Sequence, residues 1–432
     1  MIFKTPYAIL KIIIIIMLQE IIMDRVKMGI IGHGCRGWGL LEILLSLDDV
    51  DVIAVCDKYE DRAKGAYDKV KDKRGSEPFM TTDYKELLKV EGLDAVLVST
   101  DWEMHFPIAI DAMKAGVGVA LEVGGAYSLQ DCWDLVDTWE RTRVPFMFME
   151  NCCYNRDELL ATAIARKGLF GRIVYCSGSY SHDLRSEVTR GKENRHYRLR
   201  NYLTRNCENY PTHELGPIAK LLDINRGNRM VSLVSVASGS FGMEQYVENN
   251  RDNINPELIG VDFAQGDVIN TIITCENGEQ ILIRLDTSLP RSYNREFTVR
   301  GTKGMYEQNS NSVYFDGQRE FWSSLDYIEE YKNTAEKYKE LLPDSWFNIT
   351  QEQLDAGHGG MDYIEFRDFI DRLKAGEDMA IDVYDAAAWM CVTCLSEESI
   401  KEGGMPKTIP DFTRGAYKTR PSLDVVKFNF DK

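Results

Sequence analysis

Gly32-His33-Gly34-Cys35-Arg36-Gly37 fits G-x-G-x-x-G, and its setting constrains the fold more than any other stretch of the chain. A short apolar run, Val26-Lys27-Met28-Gly29-Ile30-Ile31, leads into it, and a helical pattern from Gly37 to Leu47 leads out. The hexapeptide alone is a weak signal. Between a strand and a helix it specifies a tight turn whose backbone N–H groups approach a pyrophosphate at a helix N-terminus. Asp57 ends the next apolar run, Val52 to Cys56, 25 positions after Gly32. A carboxylate there accepts hydrogen bonds from both ribose hydroxyls and repels a 2′-phosphate. Gly32, Gly34, Gly37 and Asp57 therefore predict an NAD site rather than one for NADP.

The same grammar continues. A helix is expected from about Glu60 to Val70, and Ala95 to Ser99, Gly118 to Leu121 and Phe146 to Met149 are further continuous apolar runs. Runs of this kind are strands buried on both faces, as in a parallel sheet covered by helices. The chain thus predicts an α/β fold whose N-terminal part, 23–150, is a doubly wound Rossmann domain. After Glu150 the pattern changes. Helices at Arg156–Lys167 and Pro211–Leu222 are joined by strands at Ile173–Tyr180, Met230–Ser238, Ile269–Glu276, Gln280–Asp286 and Glu296–Arg300. Asn277-Gly278 is a hairpin turn signal. Helices at Gly360–Lys374 and Tyr384–Glu402 close an α+β domain, 151–406, with a largely antiparallel open sheet; 407–432 reads as a tail.

Composition serves mainly to exclude. With 51 basic and 68 acidic residues the net charge is −17, which argues against nucleic acid or an anionic membrane as partner. Cys391 and Cys394 form a CxxC inside an apolar helical pattern with no second pair, so core packing, not zinc, is expected. No Asp, Glu and His set has metal-site spacing, and no metal is predicted. The ten cysteines are too sparse for a disulfide scaffold and point to reduced thiols and a cytoplasmic location. Residues 1–22 carry an apolar stretch, Ile12 to Leu18, too short for a bilayer span; they are read as an extension outside the fold, with Met23 as the natural beginning.

Trp102-Glu103-Met104-His105 follows the fourth strand and Glu122-Val123 the fifth. Both lie at the carboxyl edge where such sheets bind ligands, so both are placed to line the nicotinamide half. From Lys27 onward the chain resembles the glucose–fructose oxidoreductase/inositol dehydrogenase superfamily (Gfo/Idh/MocA). Dehydrogenases of that group carry Glu-Lys-Pro after the fifth strand and an Asp four residues before a catalytic His. Here those places hold Glu122-Val123-Gly124 and, before His213, Asn209.

A narrower resemblance accounts for both departures. Met149-Glu150-Asn151-Cys152-Cys153-Tyr154, Ser179 to Arg185, Tyr210-Pro211-Thr212-His213, Asp223 to Arg229, Asp286 to Arg291 and Gly357 to Tyr363 are similar to the NAD-dependent α-N-acetylgalactosaminidases of glycoside hydrolase family 109. The resemblance places cofactor contacts on Cys35, Arg36, Asp57, Trp102, His105, Glu122, Val123, Asn151 and Tyr210. It places sugar contacts on Tyr180, Arg198, Tyr210, Pro211, Thr212, His213 and Tyr293. His182 and His196 are read as lying behind these, and His358 is left without a role.

The implied reaction is hydrolysis by a redox detour. C3 of the sugar is oxidised at a tightly bound, recycled NAD, and the ketone acidifies the C2 proton. Its loss expels the C1 leaving group, water adds, and C3 is reduced again. Such a site needs proton acceptors at the C3 hydroxyl and C2 and donors for an enolate oxygen. It does not need the paired carboxylates of ordinary glycosidases. His213 is assigned to the C3 hydroxyl and Tyr180 to the neighbourhood of C2, with Arg198 and Tyr293 holding the sugar. The competing readings are a sugar or cyclitol dehydrogenase that releases NADH and a non-catalytic NAD-binding protein. A homo-oligomer formed through the second-domain sheet is also implied.

Overall fold

A computed structural model describes residues 25–320 and 322–431; the extension read at 1–22 lies outside them. The first sheet has six parallel strands: β1 Val26–Ile31, β2 Val50–Cys56, β3 Phe79–Thr81, β4 Ala95–Val98, β5 Gly118–Glu122 and β6 Phe146–Met149. Their order is β3-β2-β1-β4-β5-β6. Helices α1 Cys35–Ser46, α2 Glu60–Arg74, α3 Trp102–Lys114 and α4 Leu129–Thr142 connect them. The strand order reverses between β1 and β4, and the crevice at that switch is where a doubly wound sheet binds its ligand. β4 to β6 are buried at every position, as continuous apolar runs require. The short edge strand β3 has no such run, and the sequence reading passed over it.

The second sheet has eight strands ordered β13-β12-β11-β7-β10-β9-β8-β14. They are β7 Ile173–Ser181, β8 Met230–Ala237, β9 Val268–Cys275, β10 Gln280–Asp286, β11 Thr298–Gly301, β12 Gly304–Glu307, β13 Ser312–Phe315 and β14 Lys407–Thr408. All pairings are antiparallel except β10 with β7. The Asn277-Gly278 turn joins β9 to β10, with Gly278 at φ 96°. Helix α5 Arg156–Arg166 precedes the sheet, α6 Thr212–Leu221 packs on β7, and α7 Met361–Ala375 lies near the cofactor loop. The residues after 406, read as a tail, add β14 beside β8 and bury Ile409, Phe412, Tyr417 and Phe428.

Helix α8, Val383–Lys401, joins the two sheets. Nearly all of it is buried, as expected of a helix apolar on every side. Met390 O accepts from Ala126 N beside the first sheet, while Ser399 Oγ accepts from Ser235 N in the second. Cys391 and Cys394 lie within it, both buried, each thiol donating to the carbonyl three residues back.

Candidate active site

The dinucleotide end begins where β1 turns into α1. Gly32 has φ 98°, and a Cβ on it would lie 2.5 Å from Ser99 O; one on Gly37 would lie 2.1 Å from Gly32 O. No side chain caps α1, and its first intrahelical bond runs from Trp38 N to Gly34 O. The N–H groups before Trp38 are thus left for an anion. Asp57 takes the His33 N–H on Oδ2 at 2.7 Å and the Tyr59 N–H on Oδ1 at 2.9 Å, pinning the loop to the end of β2. His33 is buried, and burial, helped by Arg62 and opposed by the Ile30 backbone, lowers it to about 3, so the ring is neutral. An uncapped helix start and a cradle that a side chain would fill fit a dinucleotide.

This end is strapped by the second domain. Arg195 pairs with both carboxylate oxygens of Asp61 at 2.9 and 2.8 Å. Arg62 Nη2 donates to Asn194 O at 2.7 Å, and Arg200 pairs with both oxygens of Glu103 at 2.5 and 2.6 Å. Arg195, Arg62 and Lys58 all lie over the Tyr59 ring.

Midway along the cleft, Arg36 reaches Glu122 Oε1 at 2.9 Å and Asp362 Oδ2 at 2.6 Å, with His358 Nδ1 3.1 Å away. Asp362, on α7, also meets His358 Nδ1 at 2.8 Å and Asn151 Nδ2 at 2.6 Å. Burial works against its charge, but Arg36 and His358 hold the Asp362 carboxyl well below the usual range. Glu122 is raised by burial in spite of Arg36. Asp362 thus ties the glycine loop, the fifth and sixth strands and His358 into one network. The sequence reading gave no role to either His358 or Asp362. Val123 is buried, so the place where related dehydrogenases carry lysine is a core position here. A Cβ at Gly124 would meet Trp102 Cδ1 at 2.5 Å; glycine there lets the indole lie across the strand end.

At the far end, where the resemblance places sugar contacts, the fold gathers residues distant in sequence. Tyr180 lies 4.8 Å from Tyr210, 5.4 Å from His213 and 6.3 Å from Tyr293, ring to ring. Trp102 stacks on Tyr210 at 5.5 Å, and His182 meets Tyr293 at 5.4 Å. Arg198 is buried 5.3 Å from the Trp102 ring and 5.0 Å from that of Tyr210. Its Nε is 2.9 Å from Glu187 Oε1 but too poorly aligned for a hydrogen bond; Nε and Nη1 remain buried donors without acceptors. Burial pushes Tyr180 up to about 12, only partly offset by Arg198, so it stands as a phenol. Pro211 and Thr212 are buried at the start of α6, the threonine hydroxyl beside the Glu150 carboxyl. His105 is buried against Thr100 O, and burial lowers it to about 4; His196 stacks on Tyr197 at 4.4 Å.

His213 has a carboxylate behind it. Glu150, fully buried just past β6, accepts from His213 Nδ1 at 2.8 Å and from Cys152 N at 3.1 Å. Asn209 spends its amide on Gln265. Burial opposes the Glu150 charge, but His213, the Thr212 hydroxyl and the Cys152 N–H outweigh it and hold the carboxyl below its ordinary range. Glu150, Cys152 and His213 are also the trio among the described residues whose ligand-type atoms lie within 4.8 Å of one another, a grouping made by the fold and invisible to spacing. Next to His213, Glu214 and Glu208 are fully buried carboxyls, both raised by burial.

Comparison with known proteins finds a match for each of the two domains. Residues 26–149 match the family profile described as oxidoreductase family, NAD-binding Rossmann fold, and residues 154–419 match glycosyl hydrolase 109, C-terminal domain. A glycosyl hydrolase family 109 protein of Stenotrophomonas maltophilia is 37% identical over 430 residues, covering 94% of this chain and 92% of its own. An α-N-acetylgalactosaminidase of Tannerella forsythia is 35% identical over 416 residues, covering 90% and 87%. Among solved structures, levoglucosan dehydrogenase in complex with NADH and levoglucosan superposes with TM-score 0.65 at 16% identity, over 90% of this chain and all of its own. Myo-inositol 2-dehydrogenase of Lactobacillus plantarum gives 0.63 at 15% identity, over 89% and 100%. At such identity these structures speak for the fold alone.

Proposed function

The chain belongs to glycosyl hydrolase family 109 and is an NAD-dependent glycoside hydrolase on an oxidoreductase fold, and from that premise we propose that its substrate is an α-linked N-acetylgalactosaminide or a glycoside of a similar sugar. One observation carries the reading. Tyr180, Tyr210, His213, Tyr293 and Arg198 form a single cluster, and the Arg36–Glu122–Asp362 network links the glycine loop to the strand ends beside it.

Gly32, Gly34, Gly37, Asp57 and the start of α1 would hold the dinucleotide, with Trp102, Glu122, Val123 and Asn151 toward the nicotinamide. Bound there, it supplies reversible hydride acceptance at the sugar's C3. The protein's side chains do the rest. His213 takes the C3 hydroxyl proton. Tyr180 enters as a phenol near C2, and the Arg198 guanidinium beside it lowers the cost of ionising it. The Arg198 guanidinium, whose Nη1 has no acceptor, is suited to an enolate oxygen. Tyr293, half exposed at the rim, and Tyr210 bracket the ring. His358, backed by Asp362 as His213 is backed by Glu150, is a second proton carrier, suited to the leaving group.

Retention and recycling of the cofactor fit the strap between Arg195, Arg200 and the first domain. Self-association fits the open face of the second sheet, where Val234, Ile272 and Leu282 stand side by side in register. No helix among the described residues is long and apolar enough to cross a membrane, and ten unpaired cysteines fit the reducing cytoplasm.

The test is turnover of a panel of aryl glycosides with absorbance followed for free NADH. Cleavage without net NADH is expected; stoichiometric NADH release instead would assign a plain dehydrogenase. Sugar deuterated at C2 should lose its label in ordinary water, and a product that keeps the deuterium rules out elimination.

A further inference from the structure

We infer that Glu150 is the positioning residue that makes His213 a proton acceptor, an inference that rests on the functional reading above and deepens it. The carboxylate has no solvent exposure, and Oε1 takes both the His213 Nδ1 contact and the Cys152 N–H. The Thr212 hydroxyl is the other side-chain donor beside the carboxyl. An ionised carboxylate in such a place is tolerable only where donors meet it. A hydrogen on His213 Nδ1 meets that need, and in the neutral ring so held Nε2 is the lone pair free to accept a proton. That ring stands edge-on to Tyr180 and Tyr210, inside the sugar-side cluster.

The surrounding chain keeps this arrangement open. Asn209, on the histidine's own segment, is bonded to Gln265 and does not compete for Nδ1. Gly216 follows His213 by one turn of α6. A Cβ there would lie 2.7 Å from Glu150 Cγ, 3.1 Å from the Trp389 ring and 3.3 Å from Cys153 Sγ. The helix thus leaves a gap at the position the glutamate needs. His213 Nε2 would take the C3 hydroxyl proton as that carbon is oxidised, the dinucleotide, when bound, supplying the hydride acceptor. Glu150 offsets the charge that arrives on the ring and does not itself take the proton. Re-reduction runs the same transfers backward.

The experiment compares Glu150→Gln, Glu150→Asp and Gly216→Ala with wild type, each as full-length NAD-loaded protein on an aryl α-N-acetylgalactosaminide. Imidazole ¹⁵N spectra of histidine-labelled protein are recorded alongside. Glu150→Gln should lower kcat by about a hundredfold or more, with KM within about threefold and NAD content unchanged. Glu150→Asp should recover at least about tenfold of that loss, because the charge returns at imperfect reach. The wild-type His213 signal should be that of the Nδ1–H form, and Glu150→Gln and Gly216→Ala should both disturb it. Should Glu150→Gln not fold, the other two variants decide by the same readouts. A Glu150→Gln kcat within about threefold of wild type, a change in KM alone, or an unaltered His213 spectrum overturns the assignment. Wild-type protein that holds NAD yet cleaves no glycoside overturns the functional reading instead, and the spectra still report whether Glu150 sets the tautomer.

Discussion

At the dinucleotide end of the cleft the contacts offered to a ligand come from backbone: the N–H groups at the start of α1, a turn at Gly32 and Asp57, itself tied to backbone N–H groups. At the sugar end they come from side chains, with rings from β7 and α6 and the Tyr293 loop closing on one another and a guanidinium buried among them. The difference is one of tolerance. Backbone contacts survive many substitutions and fail only where geometry is lost. Side-chain chemistry fails at once when a titratable atom is removed, and leaves binding nearby largely intact.

The largest expected effect follows at the sugar end. His213→Ala should cost about a thousandfold or more in kcat, while the NAD content of the purified protein stays at the wild-type level. An equal loss of NAD would erase the distinction between the two ends. Asp57→Ala should act the other way. Losing a charged acceptor at the ribose, and the anchor of the His33 N–H, should weaken NAD by about ten- to a hundredfold. Glycoside turnover at saturating NAD should move far less. Titration of NAD by calorimetry checks the first part, and an unchanged affinity would remove Asp57 from the cofactor site.

The same difference decides what could be read from the chain in advance. The dinucleotide end is written in consecutive residues, because a strand, a glycine turn and a helix start are local structures with local signatures. Asp57 follows at the end of the next strand. The sugar end has no such grammar. Tyr180, His213 and Tyr293 could be named only through resemblance, since nothing in local spacing says that they will meet. Glu150 sits 63 positions from His213, and Asp362 sits 326 positions from Arg36. Each is one carboxylate among 68 acidic residues until the fold aims it. The short strands β3, β12 and β13 escape sequence reading for a related reason: partly exposed, they lack the continuous apolar run that marks β4 and β5.

A smaller effect is expected where the two ends are held together. Arg195 and Asp61 are both well exposed, and exposed pairs contribute little stability. Their separation should leave folding untouched but ease the opening of the strap. Asp61→Ala should speed NAD release severalfold, and the difference should shrink at high salt as screening weakens the wild-type pair. Equal release rates for the variant and wild type at low salt would show that the strap plays no part in retention.

The last test uses protons instead of ligands. The same end of the cleft carries Glu208 and Glu214, both fully buried and with no cationic partner beside either among the described residues. Burial raises both, Glu208 from 4.5 to about 8, and the neighbouring Glu208 charge raises Glu214 further. Glu208 faces the N–H groups of Tyr210 and Leu285 along with Glu214, and Glu214 also faces Glu150. A carboxyl whose folded pKa is raised keeps its proton in the folded chain while the unfolded chain has lost it. Between about pH 4.5 and 8 the folded state therefore binds more protons, and stability falls as pH rises. Glu208→Gln mimics the protonated side chain at every pH and removes this contribution. The melting temperature of wild type should thus decline from about pH 5 to about pH 8 more steeply than that of the variant. Parallel declines would mean that Glu208 is already ionised in the fold, so that its charge must be met by donors at this end of the cleft.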